Sequence, residues 1–163
     1  MKKIIQDKRL LALIIVIIVV IICVVLLLLF VDKKKVVVCH MKSDQSRNGY
    51  VLETDYTINA KGDYVEDVLI IETITSSNET ILDKFEKQLT EQYGSNKKNY
   101  KGYTYEVKVE KDKLKTNVKI DYNQFDLDKF IKDNVAMKDY TEDNKFTLDG
   151  AIRLYESTGA KCE

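Results

Sequence analysis

The chain has 163 residues, with 26 basic and 26 acidic side chains, ten Tyr, three Cys, six scattered Gly and neither Pro nor Trp. The zero net charge hides an asymmetry: seven basic residues but only Asp7 and Asp32 lie at or before Lys35, leaving 19 basic against 24 acidic residues beyond it. That acidic remainder argues against a phosphate-binding surface, and hence against nucleic acid as a partner. The absence of Pro excludes a Pro-rich linker, and the scattered glycines make no phosphate-cradling loop.

Residues 10–31, LLALIIVIIVVIICVVLLLLFV, carry no charge, no Gly and no Pro. As a helix they are about 33 Å long, enough for a hydrocarbon core of about 30 Å. No A-x-A-like cleavage site ends the run. Large residues precede both Cys23 (Val20-Ile21-Ile22) and Cys39 (Val36-Val37-Val38), which does not suit lipoprotein processing. The expectation is therefore an uncleaved single-pass anchor in the cell membrane. The positive-inside bias places the N-terminus in the cytoplasm by a small margin, Lys2, Lys3, Lys8 and Arg9 standing against Lys33, Lys34 and Lys35. The expected organisation is a basic cytoplasmic tail (1–9), a transmembrane helix (10–31), a juxtamembrane segment (32–48) and an extracytoplasmic domain (49–163).

After the β-prone Val36-Val37-Val38, residues 42–49 are polar and read as a loop. Tyr50, Leu52, Thr54, Tyr56 and Ile58 then alternate with Glu53, Asp55 and Asn59, the period of a half-buried strand. Lys61-Gly62-Asp63 signals a turn into a second β-rich run, Tyr64–Thr75, completing a hairpin. Ser76 and Glu79 have capping-box spacing, and Ile81, Leu82, Phe85, Leu89 and Tyr93 repeat at helical spacing up to Gly94, which suits a helix C-terminus. A second hairpin pairs Tyr103, Tyr105, Val107 and Val109 with Leu114, Thr116, Val118 and Ile120 across Lys111-Asp112-Lys113. A short helix is expected over residues 126–133, and a last one from near Thr147 to Gly159. The predicted fold class is α+β: a four-stranded antiparallel sheet in ββα-ββαα order with helices on one face, preceded by the transmembrane helix.

Several of these motifs occur in the order of a known family. Thr57 with the Lys61-Gly62-Asp63 turn, Gln92-Tyr93, Tyr100-Lys101-Gly102-Tyr103, Ile120-Asp121-Tyr122 with Asp126-Leu127, and Gly159-Ala160 resemble the YehR-like family of small bacterial lipoproteins. The resemblance spans most of residues 50–163. It implies an α+β domain of the bacterial envelope and brings no activity or functional residue. The chain departs from the family in having a full-length apolar stretch where the family has a lipid-modified Cys.

Cys39 and Cys162 bracket the polar domain, as two halves of a disulfide in an oxidising compartment would; two unpaired thiols in a reducing one is the alternative. The single His, His40, adjoins Cys39. One His and no C-x-x-C supply too few ligands for zinc, and no cofactor is implied. Asp121, Asp126 and Asp128, and Glu142, Asp143 and Asp149, lack calcium-loop spacing, and Asp126 or Asp128 suits a helix cap. Asn78-Glu79-Thr80 matches a glycosylation sequon. Tyr50, Tyr56, Tyr64, Tyr100, Tyr103 and Tyr105 would serve either sheet packing or a stacking groove.

No catalytic residue stands out. The first functional reading is an anchored, non-catalytic binding or interaction module of the bacterial envelope. The alternatives are an envelope-polymer hydrolase using paired carboxylates and an accessory subunit of a membrane complex.

Overall fold

The structure, a computed structural model, describes residues 17–22 and 33–163. They fall in two separate units, the second running from Lys34 to Glu163. Its strands are β1 (Lys34–Gln45), β2 (Tyr50–Lys61), β3 (Tyr64–Thr75), β4 (Tyr103–Glu110), β5 (Lys113–Asp121), β6 (Thr141–Glu142), β7 (Lys145–Phe146) and β8 (Lys161–Cys162). Its α-helices are α1 (Glu79–Asn99), α2 (Leu127–Asp133) and α3 (Leu148–Ser157).

Local chemistry accounts for the two long hairpins. β2 and β3 turn over Gly62-Asp63, where Gly62 holds the positive φ (61°) that a two-residue loop demands at its first position. β4 and β5 turn over Lys111-Asp112. Along β2 the residues Thr54, Tyr56, Ile58 and Ala60 are all buried, while Asp55 between them is exposed, the period-two signature of a one-sided sheet. α1 begins at Asn78, whose side chain accepts from the Thr80 amide at 3.0 Å, instead of at the expected Ser76. Ser76 donates to the Gly49 carbonyl at 2.7 Å. The helix also continues past Gly94 to Asn99. A Cβ on Gly94 would lie 3.2 Å from the Tyr105 hydroxyl, so this glycine permits close approach of helix to strand. Asp126 caps α2 through the Lys129 amide, and Thr147 caps α3 through the Gly150 amide.

The sheet differs from the four-stranded expectation. It has six strands in the order β4-β5-β3-β2-β1-β8, every neighbour antiparallel, and β6 and β7 form a separate two-stranded sheet. Two sources of the difference are physical. β1 occupies most of the segment read as juxtamembrane and pairs with β2 from Lys34↔Lys61 to Gln45↔Tyr50. It read as loop because polar Ser43 and Gln45 follow Val37, Cys39 and Met41 on the inward face while Lys42 and Asp44 lie on the open one, so no apolar alternation shows beyond Met41. β8 is only two residues long, too short for any periodicity to show.

α1 lies against β4 and β5, and α3 against β1, β2, β3 and β8, all on one face of the sheet. The main core combines Tyr56, Ile58, Val68 and Val118 with Phe146, Ala151 and Tyr155; a smaller cluster joins Ile74, Leu82 and Leu114. The opposite face carries exposed charge pairs, Lys42–Glu53 at 2.6 Å and Lys108–Glu106 at 2.8 Å. Charges of this kind near sheet edges oppose strand-to-strand aggregation.

The expected transmembrane helix over residues 10–31 needs correction, and with it the single-pass membrane localisation, the extracytoplasmic placement and the membrane as partner. Among the described residues no helix is long and apolar enough to cross a membrane. Of that stretch residues 17–22 are described, and are helical. The remainder of the stretch and the 1–9 tail lie outside the described residues.

Cys39 and Cys162 form a disulfide closing a separation of 123 residues. It fastens β8 to β1, where the only register pairs are Cys39↔Cys162 and His40↔Lys161, flanked by backbone hydrogen bonds in which the Val38 and Glu163 amides each donate to the other's carbonyl. Replacing both cysteines by Ala is expected to cost about 5 kcal/mol on the chain-entropy account, read as a lower urea midpoint. The Val38 and Glu163 amides should lose hydrogen-exchange protection first. An unchanged midpoint and protection pattern would show that β8 is held without the bond.

Candidate functional site

The inward residues of β3 are Val68, Ile70, Glu72 and Ile74. Val68 and Ile74 are buried, yet Ile70 and Glu72 between them are only half-buried, although β3 is an interior strand of the sheet. The helices explain this. α1 packs on β4 and β5 and α3 on β1, β2, β3 and β8, and neither covers Ile70 and Glu72 fully. A carboxylate therefore stands on the sheet floor between two helices.

Register builds its surroundings. Thr54 of β2 and Thr116 of β5 are the Cα partners of Glu72 on either side. Thr116 Oγ1 donates to Glu72 Oε2 at 2.8 Å, and the Tyr93 hydroxyl from α1 donates to the same oxygen. Hydrogen bonds to an ionised acceptor are the stronger kind. No Lys or Arg bridges Glu72 among the described residues. Thr54 is 1% exposed, and its hydroxyl has no hydrogen-bond partner among the described residues. Such a buried hydroxyl costs roughly 1–3 kcal/mol if left unpaired.

Tyrosines surround this row. Tyr56 stacks on Tyr155 with ring centroids 4.1 Å apart, and Tyr93 lies 6.4 Å from Tyr103 and 6.1 Å from Tyr105. Burial pushes the Tyr103 phenol up to about 12, despite a hydrogen bond from Asn96 that acts the other way. Burial, and then the charge of Glu72, raise Tyr93 further. Tyr155 and Tyr122 are raised by burial and by neighbouring phenols, and Tyr56 by burial. These phenols stay neutral through the physiological range, as hydroxyl donors and aromatic walls.

The residues singled out in the sequence lie elsewhere, in part. Tyr56 and Tyr103 reach the Glu72 cluster. Tyr50 packs edge-on against Phe85, Tyr64 lies under the Lys145 ammonium, and Tyr100 packs with Phe125 and Phe130. The six tyrosines therefore do not form one groove. Cys39 points inward to its disulfide while His40 points to the open face, bonded to Asp55 at 2.6 Å, so the adjacent pair is not assembled as nucleophile and base. Among the described residues no three His, Cys, Asp or Glu converge as metal ligands. Asp121 accepts from Asn123 and Gln124, shaping the turn after β5, and Asp126 is a cap. Asp143 turns the β6–β7 hairpin with positive φ. Asp149 pairs with Arg153 at 3.0 Å beside a surface groove of about 540 Å³, which Glu142 also lines. Across that groove Asp63 pairs with Lys35 at 3.0 Å. Both carboxylates are more than four-fifths exposed, which makes the groove a weakly held polar surface.

Glu72 escaped the sequence reading, yet a signal was present. On the face Val68, Ile70, Glu72, Ile74 it is the single charge where period two demands an apolar residue.

Thr54→Val should raise stability by about 1 kcal/mol, since it removes an unpaired buried hydroxyl at similar volume, measured as a higher urea midpoint. A drop of similar size would mean that the hydroxyl is satisfied. The phenols set an alkaline limit. A tyrosine that ionises near 10 when unfolded but only near 12 when folded contributes stability that is full below pH 10 and lost as pH climbs toward 12. Urea midpoints should therefore be level up to about pH 10 and fall above it, with phenolate absorbance from the clustered tyrosines rising together with unfolding. Ionisation of all ten tyrosines near pH 10 in the folded protein would contradict the burial.

Set beside solved structures, the fold is similar to that of the E. coli YehR protein, determined by NMR, at 18% identity over 80% of this chain and 91% of that chain, with TM-score 0.51. It is likewise similar to an NMR structure of a protein from Streptococcus pneumoniae, at 19% identity over 81% of this chain and 86% of that chain, with TM-score 0.50. No family model and no curated protein matches the sequence. At these identities the likeness is one of backbone architecture: the chain has a YehR-like fold.

Proposed function

We propose that this domain is a non-catalytic binding module that meets its ligand in the gap between α1 and α3, at Glu72. The observation that carries the reading is a half-buried carboxylate on an interior strand that has hydroxyl donors but no cationic partner among the described residues. Stability alone gives little reason to keep it, because an apolar residue on that inward position would extend the core without desolvating a charge. Unpaired polar groups gathered at one place in an otherwise apolar layer are a mark of recognition.

Hydrolysis by paired carboxylates requires a second carboxyl group facing the first across the scissile bond. The groups bonded to Glu72 are a phenol and a hydroxyl, which position and neutralise but do not form such a pair. In the surface groove two of the carboxylates, Asp63 and Asp149, are bridged to Lys35 and Arg153 and are more than four-fifths exposed, which suits solvated ion pairs rather than a desolvated catalytic pair. Binding is thus the better fit to both places.

The test is an amide NMR titration of the full chain with small neutral, anionic and cationic probes. Shift changes are expected to gather at Thr54, Ile70 and Glu72 on the floor and at Leu89 and Tyr93 on α1. Changes confined to the open face around Leu69 and Ile71, or none with any probe, would remove this site from the protein's function.

A further inference from the structure

The two edges of the six-stranded sheet differ. At one, β1 is partly covered by the two-residue β8. At the other, β4 runs for eight residues with no strand beside it among the described residues. Hydrogen-bond parity shows what this edge offers. The Asp121 amide donates to the Gly102 carbonyl at 2.9 Å, one step beyond the register pair Tyr103↔Ile120. Alternate residues onward from Gly102, namely Thr104, Glu106, Lys108 and Glu110, therefore bond to β5, and Tyr105, Val107 and Val109 turn their N–H and C=O groups outward. No backbone hydrogen bond from another element reaches those three among the described residues. Unpaired backbone of this kind is a template for a further strand.

We propose that the strand it receives is β4 of a second copy of this chain, antiparallel about a two-fold axis at Val107. Side chains decide both the occupant and the register. With the axis there, Glu106 faces Lys108 of the second copy, and Lys108 faces its Glu106. Both pairs fall at non-hydrogen-bonded positions, where Cα atoms lie about 4.5 Å apart and side chains are closest. Within one copy Lys108 already pairs with Glu106 at 2.8 Å on the open face, so the dimer closes a ring of four charges that alternate in sign. It also offsets a conflict inside the hairpin, where the β5 partner of Lys108 is Lys115, a like charge. On the helix-covered face Tyr105 meets Val109 of the second copy, an aromatic and β-branched pair that covers a valine left 41% exposed.

Other registers fail on the same grounds. An axis between two residues would oppose an outward amide to one that points into β5, so parity excludes it. An axis at Glu106 or Lys108 sets that residue against its own copy, like charge on like charge. An axis at Tyr105 or Val109 shortens the overlap and leaves Glu106 without Lys108. The charges that oppose indiscriminate strand pairing thus admit one register. This edge is two strands from β3, and the proposal stands independently of the reading at Glu72.

The test follows amide hydrogen exchange along β4 in the full chain as protein concentration rises, with sedimentation to read the mass. Between about 10 µM and about 1 mM the Tyr105, Val107 and Val109 amides should come to exchange at least about threefold more slowly, in step with a shift from monomer to dimer. E106K and K108E, at exposed positions, each set like charges across the interface and should weaken dimerisation by about tenfold or more. An equimolar mixture of the two variants opposes lysine to glutamate at every position, so it should associate at least as well as the parent chain. A merely structural role of either residue would give no such recovery. Exchange at these amides that is independent of concentration up to about 1 mM would overturn the proposal. So would a dimer that both charge variants leave intact, or a mixture of the variants that fails to recover.

Discussion

The pairing of β3 with β5 holds the domain together as a unit. Each long hairpin is a local event, closed by two residues, but neither hairpin can bury its inward face alone. Antiparallel registration of Glu72 with Thr116, continuing the registration of Thr54 with Glu72, joins the hairpins into one sheet broad enough to carry two helices. Because side chains alternate with period two, a one-residue slip of this pairing would put Thr116 and Val118 on the opposite face of the sheet from Glu72 and Val68, so one hairpin would lose its core face. The polar row and the apolar core are therefore fixed by the same hydrogen-bond ladder.

That ladder also determines where the gap falls. α1 is tethered to the ends of β3 and β4, which keeps it over the β4 and β5 side, and α3 follows the β6–β7 hairpin onto the β1 and β2 side. Anchoring contacts at the start of α3 reinforce the separation: the Leu148 amide donates to the Asp63 carbonyl at the β2–β3 turn, and Tyr64 bridges to Thr147. From α3 the chain continues into β8, where the Cys39–Cys162 bond fastens it to β1 and holds α3 against the sheet. Two helices held over different strands of one sheet face leave Ile70 and Glu72 in the middle of β3 only half-covered.

A polar group there is costly. Interiors tolerate carboxylates and hydroxyls where hydrogen bonds compensate for lost hydration, and here compensation is partial. Tyr93 and Thr116 serve one oxygen of Glu72, whereas the Thr54 hydroxyl receives nothing from the described residues. Surrounding phenols raised by burial remain neutral, so they add hydrogen-bonding capacity without adding charge. An incomplete polar set beside aromatic faces is an arrangement that a ligand can complete.

The amino-acid sequence by itself determined the elements whose cause is local. The alternation in β2 through β5, the turns at Gly62-Asp63 and Lys111-Asp112, and the caps at Asp126 and Thr147 each rest on residues a few positions apart. Even Glu72 was legible as a charge out of step with its apolar face. The tertiary structure alone decided the rest. β1 carries polar residues on its open side and becomes a strand only through its partner β2, β8 is two residues held by a bond to a cysteine 123 positions earlier, and the site joins residues 54, 72, 93 and 116 from four separate elements. Whether a charge in a strand is a solvated face or the floor of a site depends on what packs over it, and packing between elements distant in the chain leaves no period in the sequence to read.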